Sequence, residues 1–350
     1  MNKDELYMNR CLILASYGRG KVSPNPMVGA VVVVDDRIVG EGYHRCCGEA
    51  HAEVNAINAV LDKALLKRAT LYVNLEPCSH YGKTPPCADL IVKSAIPRVV
   101  IGMLDPNPMV NGRGVKILQQ AGVETTVGVL EANARLLNRR FVAFVEQQRP
   151  YVILKWAETA DGCIDALRSD ATTPPLEISN STTKTLNHQI RTHEDAIMVG
   201  TNTALLDNPH LTARKWSGKN PIRIVLDRTL RLPSSYRLFN KAAKTIVFNS
   251  VKDETQDNIF FCKIDFAKKV VPQVLDILYQ LSIKSLIVEG GNMLLSEFIS
   301  LGLWDECCIE TSARNLVKGA GVVAPTLTNF RVVEESKIGD NKVVVCNRLN

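Results

Sequence analysis

His51, Glu53, Cys78 and Cys87 are residue types that can hold a metal ion and move a proton beside it. The first two stand as His-Ala-Glu at the head of "HAEVNAINAVLDKALL", a stretch with helical periodicity. Residues two apart on a helix project in nearly opposite directions. Both can serve one site only if that site lies at the helix's first turn. Cys87 opens the next helical stretch, "CADLIVKSA", where a helix N-terminus favours the thiolate that a metal needs. Two thiolates and an imidazole leave a zinc ion one open position, the pattern of a catalytic rather than a structural site. Zinc there would acidify water at neutral pH, and Glu53 would shuttle the proton to a leaving amine. The plain alternative is a helix-capping histidine beside core cysteines. It suits each residue alone but not the four together. His44, Cys46 and Cys47 are close enough to be rival ligands; at the end of a strand they are expected in packing or the pocket wall.

These residues need a scaffold that brings helix starts and strand ends together. "VGAVVVVDDRIVGEGYH" reads as two strands around Asp35–Asp36, a hairpin signal. Residues 3–17 are helical, "ATLYVNLEPC" is a strand leaving into a loop, and "RVVIGM" is a strand before a turn-rich segment. "GVKILQQAG" and "LEANARLLNRRFVAFVEQQ" are helices, with the strand "VETTVGV" between them. The alternation predicts an α/β fold with a mostly parallel sheet covered by helices. At Gln148–Arg149–Pro150 the long helix ends and the pattern restarts with "YVILKWAETADG". Strands "DAIMVG", "IRIVLD", "TIVFN", "SLIVEGG", "DECCIETS" and "KVVVCNRL" follow, with helices at 182–193, 270–281 and 292–301. Two domains are expected, 1–147 and 148–350, since 350 residues exceed what one core usually organises.

Composition narrows the function class. Hydrophobic residues make up 46% and charged residues 22%, ordinary for a globular chain. No apolar run is long enough for a membrane span, and the acidic N-terminus lacks the features of a signal peptide. A cytoplasmic protein without a membrane partner is expected. The net charge of +6 is too small and too evenly spread to announce nucleic-acid binding. Ten cysteines in such a chain read as buried apolar side chains rather than a disulfide framework.

His51-Ala52-Glu53 followed by Pro77-Cys78 matches the signature of zinc nucleobase deaminases, H-x-E and then P-C-x-x-C. Here, however, eight residues, "SHYGKTPP", separate the cysteines. With "SPNPMVGAVVV", "GEGYH" and "DPNPMVNGRG", this form resembles the deaminase half of the bifunctional riboflavin-biosynthesis deaminase/reductases. "LKWAETADG", "DAIMVGTNTALLDNPHLTAR", "PIRIVLD" and "VEGGNMLLSEFI" resemble the reductase half, in the family's order and over nearly the whole chain. The resemblance implies a cytidine-deaminase-like three-layer domain followed by a dihydrofolate-reductase-like domain. It implies zinc in the first and NADPH in the second. The first would hydrolyse the 2-amino group of 2,5-diamino-6-(5-phosphoribosylamino)pyrimidin-4(3H)-one, and the second would reduce ribosyl to ribityl.

For the first half the residues agree with this small phosphorylated substrate. His80 and Lys83 in the inter-cysteine insert offer donors and charge to an anion. Asn25, in a Pro-Asn-Pro turn, has both a donor and an acceptor for a pyrimidine edge. Asp105 and Asn107 follow a strand's C-terminal end, where open α/β sheets bind ligands, although turn formation explains them equally well.

The second half has no G-x-G-x-x-G after a strand. Its "IVEGGN" instead joins strand to helix through two glycines, which lets backbone amides approach a phosphate. By resemblance Gly291, Asn292, Met293, Leu294, Leu295, Ser296 and Glu297 hold NADPH, joined by Glu158, Thr203 and Asp207. Glu289 would face the substrate ribose, and Leu211 and Arg214 would touch substrate. Arg214 and Arg191 are candidates for its phosphate, and Lys155 for polarising the sugar as hydride arrives. Two departures bear on the cofactor. Cys163 stands where the family usually has a basic residue, and Glu177 and Ser179 fill the places of a Trp and a Thr.

A homodimer or larger assembly, paired through sheet edges of the second half, is also expected. Competing readings are a tRNA-adenosine-type base deaminase, a zinc-stabilised scaffold without activity, and a live deaminase beside an inactive reductase. The wide cysteine spacing and mild charge weigh against the first.

Overall fold

Asn2 starts the chain's first element, accepting from the Glu5 amide while the Glu5 carboxylate accepts from the Asn2 amide. The computed structural model describes residues 2–79, 85–108, 110–316 and 321–349, and the chain divides into two units, Met1–Gln148 and Arg149–Asn350.

The first unit runs α1 (Lys3–Ser16), β1 (Gly29–Val34), β2 (Arg37–Tyr43), α2 (Ala52–Ala59), β3 (Thr70–Leu75), α3 (Cys87–Lys93) and β4 (Arg98–Met103). It continues with α4 (Arg113–Gln120), β5 (Glu124–Val127), α5 (Glu131–Leu137) and α6 (Arg139–Gln147). Among the described residues the sheet order is β2-β1-β3-β4-β5. β1 pairs antiparallel with β2 and β3, while β3, β4 and β5 are parallel. All six residues of β1 are buried, which explains its unbroken apolar run. Val32 packs with Ala56, Ile91 and Leu118 on one face. Val31 and Val33 pack with Met8, Cys11 and Leu14 of α1 on the other, giving three layers. Gly40 and Gly42 seat α2 directly on β2. A Cβ at either would lie 2.4 Å from a backbone atom of Ala56.

The second unit runs β6 (Tyr151–Glu158), β7 (Cys163–Ala166), α7 (Ser181–His193), β8 (Ala196–Val199), α8 (Thr201–Asp207), β9 (Ile222–Leu226) and β10 (Thr245–Asn249). Next come β11 (Glu254–Gln256), β12 (Ile259–Lys263), α9 (Val270–Gln280), β13 (Ser285–Glu289), α10 (Asn292–Leu301) and β14 (Glu306–Thr311). The last are β15 (Gly321–Val323), β16 (Phe330–Ile338) and β17 (Asn341–Arg348). Among the described residues the order is β11-β12-β10-β9-β8-β13-β6-β14-β17-β16, parallel from β12 through β14 and antiparallel at both edges. Leu154, Leu286 and Val288 pack with Val274, Leu278 and Phe298 on one face. Ile197, Val225 and Ile287 pack with Ala204 and Leu211 on the other.

Several predicted elements differ. The helix expected over 51–66 stops at Ala59, and a 3-10 turn follows over Lys63–Arg68. There the Asp62 side chain accepts from the Ala64 amide instead of letting the helix continue. The helix expected over 130–148 breaks at Asn138. That side chain is spent on Met27, accepting from its amide at 2.8 Å and donating to its carbonyl at 2.9 Å. "TNTALLD", to which the sequence pattern assigns no element, forms α8. Strands β7, β11, β12, β15 and β16 were not anticipated. β16 is an exposed edge strand and carries little apolar pattern.

Candidate functional site

His51 caps α2 with its backbone and leaves its ring unused by the helix. Its Nδ1 lies 3.4 Å from Cys87 Sγ and 3.6 Å from Cys78 Sγ. All three ligand atoms lie within 4.8 Å of one another. Cys78 leaves β3 through Glu76-Pro77, and Cys87 is the first residue of α3. The Cys87 amide donates to Cys78 Sγ at 3.2 Å. Two soft sulfurs and one imidazole fit zinc, and three ligands leave room for a fourth. The thiol hydrogen bond from Cys87 holds Cys78 down at about 4, with His51 assisting, while the same bond and burial push Cys87 well up.

Glu53 is 3% exposed and lies outside the ligand cluster. Burial chiefly, then Cys78, pushes its carboxyl up to about 7. A carboxyl there both gains and loses a proton near neutrality, which suits general acid–base work. His44 packs edge-on to His51, with ring centroids 5.5 Å apart. Its Nδ1–H donates to the Ala50 carbonyl at 3.1 Å, so its Nε2 accepts from Asn25 Nδ2 at 3.1 Å. That bond fixes the Asn25 amide. Cys46 and Cys47 do not join the ligand cluster. His80 and Lys83 lie outside the described residues.

Glu76 was missed by sequence reasoning. Its Oε1 accepts from the Gly114 and Val115 amides at 2.8 and 3.3 Å, and its Oε2 from Gly112 and Asp105 at 3.0 and 3.1 Å. One carboxylate thus ties the metal loop to the loop carrying Asp105 and Asn107 and to the start of α4. Asp105 Oδ1 accepts from the Asn107 amide at 2.9 Å, so it shapes the turn as well. Gly114 permits the approach, since a Cβ there would lie 2.1 Å from the Pro77 carbonyl. Glu76→Gln replaces one acceptor oxygen by a donor facing amides. It is expected to cost about 2–4 kcal/mol, read as a lower urea midpoint.

In the second unit, Lys155 of β6 pairs in register with Glu289 of β13. Arg191 of α7 donates to Glu289 Oε2 at 2.6 Å and to the Thr212 carbonyl at 3.3 Å. Burial would raise the Glu289 carboxyl, but Arg191 and then Lys155 hold it below its usual value. Arg214 donates to Thr212 Oγ1 at 2.9 Å. Leu211 has φ +51° and a buried side chain in the core, so any contact it makes with substrate falls to its backbone.

Gly291 caps α10, and among the described residues no side-chain cap bond is made there. The first N–H groups of the helix have no helical partner and fit a cofactor phosphate. The Gly291 amide donates to Thr203 Oγ1 at 3.0 Å, which brings α8 to the same point. Met293 is exposed, whereas Leu294 and Leu295 point into the core. Asn292 donates to the Val323 carbonyl at 2.9 Å, Ser296 bonds Asn292, and the Ser300 hydroxyl donates to the Glu297 carbonyl. Glu158 accepts from Trp156 Nε1 at 2.8 Å. Asp207, at the far end of α8, is ion-paired with Arg168, which also holds Asp165. No sequence signal marked Arg168.

The departures have partners. Glu177 is ion-paired with Lys184, so the acid does not stand uncompensated. Ser179 Oγ donates to Glu310 Oε2 at 2.7 Å. Cys163 lies on β7 against Gly321, where a Cβ would meet its sulfur at 2.5 Å.

A zinc deaminase fused to a nucleotide-dependent reductase is the class that accounts for both units. Residues 1–103 match the cytidine and deoxycytidylate deaminase zinc-binding region, and residues 150–338 match the RibD C-terminal domain. The chain is 40% identical to the riboflavin biosynthesis protein RibD of Aquifex aeolicus, over 97% of this chain and 95% of that protein. It is 36% identical to that of Escherichia coli, over 88% and 87%. The solved diaminohydroxyphosphoribosylaminopyrimidine deaminase/5-amino-6-(5-phosphoribosylamino)uracil reductase of Thermotoga maritima is 39% identical. It has a TM-score of 0.88 and covers 99% of each chain. The chain belongs to the RibD family of bifunctional riboflavin-biosynthesis enzymes. It has the cytidine-deaminase-like and dihydrofolate-reductase-like halves that its motifs implied, and is a zinc deaminase and NADPH-dependent reductase. No helix among the described residues is long and apolar enough to cross a membrane.

Proposed function

We propose that residues 1–147 remove the 2-amino group of a diaminopyrimidine carrying a phosphoribosylamino arm. Residues 148–350 then reduce the ribosyl group of the product to ribityl. The observation that carries the first step is the convergence of His51, Cys78 and Cys87 beside buried Glu53. His51, Cys78 and Cys87 would hold zinc, which when bound supplies the Lewis acidity that lets water react at neutral pH. Glu53 takes a proton onto its carboxylate and delivers it to the departing amino nitrogen. Asn25, fixed by His44, binds the amide edge of the ring, and the loop of Asp105 and Asn107 closes on the remainder.

In the second step the α10 N-terminus would hold the phosphates of NADPH, which when bound supplies a hydride. Lys155 polarises the sugar, Glu289 orients a ribose hydroxyl, and Arg191 and Arg214 take the phosphate. The Lys184 partner of Glu177 favours an active reductase over an inactive one. The substrate is a small molecule of the cytoplasm, not a nucleic acid.

The test is mass spectrometry of the product from the zinc-loaded protein. Exchange of amine for oxygen without NADPH, and two added hydrogens with it, is the expected result. Exchange alone would remove the reductase assignment. No change with zinc bound would remove this diaminopyrimidine as the deaminase substrate.

A further inference from the structure

Between α7 and the segment after α8 lies a cavity of about 210 Å³, lined by Lys184, Asn187, His188, Arg191, Arg214 and Lys215. Four of the six side chains are cations. His188 is 7% exposed, and its Nδ1 has no partner among the described residues. Arg191 Nε, in the same wall, also has none. A buried ring nitrogen left bare costs free energy unless a ligand uses it.

The chemistry of that nitrogen is set by its surroundings. Arg191 of α7 and Arg214 and Lys215 of the segment after α8 act on the ring, while Lys184, ion-paired with Glu177, lines the cavity. Glu289 of β13 stands behind Arg191, and the Thr212 carbonyl lies beside the ring. Burial, and then Arg191 and Arg214, push His188 down to about 4, so the ring is neutral at neutral pH. With its one N–H turned to the Thr212 carbonyl, such a ring leaves a lone pair at Nδ1. A phosphate dianion brings lone pairs only, and the two would repel.

Building on the reductase assignment above, we propose that His188 is a further phosphate-binding residue. Substrate docks with one proton held between His188 Nδ1 and a phosphate oxygen. The proton comes from solvent, because a phosphate monoester is mostly dianionic above its second pKa of about 6. The bound complex thus contains one proton more than the separated dianion and neutral ring. Affinity therefore falls about tenfold for each pH unit above neutrality, while the cations supply the bulk attraction.

Ribose 5-phosphate is the probe, titrated calorimetrically at pH about 7.5 in two buffers of different ionisation enthalpy. The full chain should take up close to one proton per ligand. His188→Gln, whose amide donates without titrating, should take up almost none and bind with a flat pH profile. His188→Ala should bind about tenfold or more weakly. Retained deamination and an unchanged far-UV spectrum report folding; if the alanine variant fails this check, the glutamine variant carries the test. No uptake by the unaltered chain, or uptake persisting in His188→Gln, overturns the proposal. So does failure to bind ribose 5-phosphate. If that failure comes with working reduction, only the His188 role falls. Proton-linked binding without reduction would keep the His188 role and remove the reductase assignment.

Discussion

Glu53→Gln lowers the deamination rate about a hundredfold to ten-thousandfold and leaves one zinc per chain. The amide keeps the shape of the buried side chain but cannot take up a proton and pass it on. Metal content separates this from a ligand role, because the atoms that converge as a candidate metal site belong to His51, Cys78 and Cys87 and not to Glu53. Cys87→Ser should lose the zinc under the same dialysis, since it removes a thiolate from a site of three. Steady-state ammonia release and elemental analysis of the two variants decide the matter. A Glu53→Gln protein with more than a tenth of the original rate, or one that loses zinc as Cys87→Ser does, sinks the assignment. The same substitution has a signature in zinc-free protein. Burial first raises the Glu53 carboxyl to about 7 in the folded chain, so ionising it opposes folding. The unfolded carboxyl ionises from pH about 4.5 while the folded one keeps its proton to about 7, so stability is lost between those values and is level above them. Relative to Glu53→Gln, the unaltered chain should therefore lose stability from pH about 4.5 to 7, read from thermal midpoints.

The metal cluster was legible in the sequence because its members stand at the starts of elements. His51 and Cys87 fall where periodicity begins, and Cys78 falls where a strand ends, so local pattern alone placed them near one layer edge. The parallel core strands were legible for a similar reason, since strands covered on both faces must be apolar throughout. What escaped notice depends on partners far away in sequence. Asn138 breaks a helix in order to bind Met27, across 111 positions. Glu76 looks like an acid beside a ligand, and its four amide donors come from 29 to 39 residues downstream. His188 reads as one polar residue in a helix until Arg191 and Arg214 are seen around it. Arg168 lies in a loop without periodicity, and its two carboxylates come from separate elements.

Arg191→Met is expected to lower reductase kcat/KM about a hundredfold to a thousandfold and leave deamination unchanged. Arg191 has two duties in this geometry. It pairs with Glu289 at 2.6 Å, and its Nε faces a wall where a phosphate is proposed to bind. Removing one partner of a mostly buried charge pair typically costs about 2–5 kcal/mol, which brackets the expected loss. Methionine fills much of the space, so the loss reports charge and hydrogen bonding more than packing. A pH profile separates the two duties. Burial pushes Glu289 up, and Arg191 and then Lys155 hold it down. Without Arg191 the carboxyl rises, so the variant's residual kcat at saturating substrate should fall towards acid pH, whereas the unaltered kcat stays level over the same range. Arg191→Lys keeps a charge but not the planar fork, and should recover the level profile while keeping a raised KM. If Arg191→Met changes KM alone and its profile stays level, Glu289 does not depend on this arginine, and phosphate binding is the whole of its work. If deamination falls as well, the two activities are coupled through more than their shared chain.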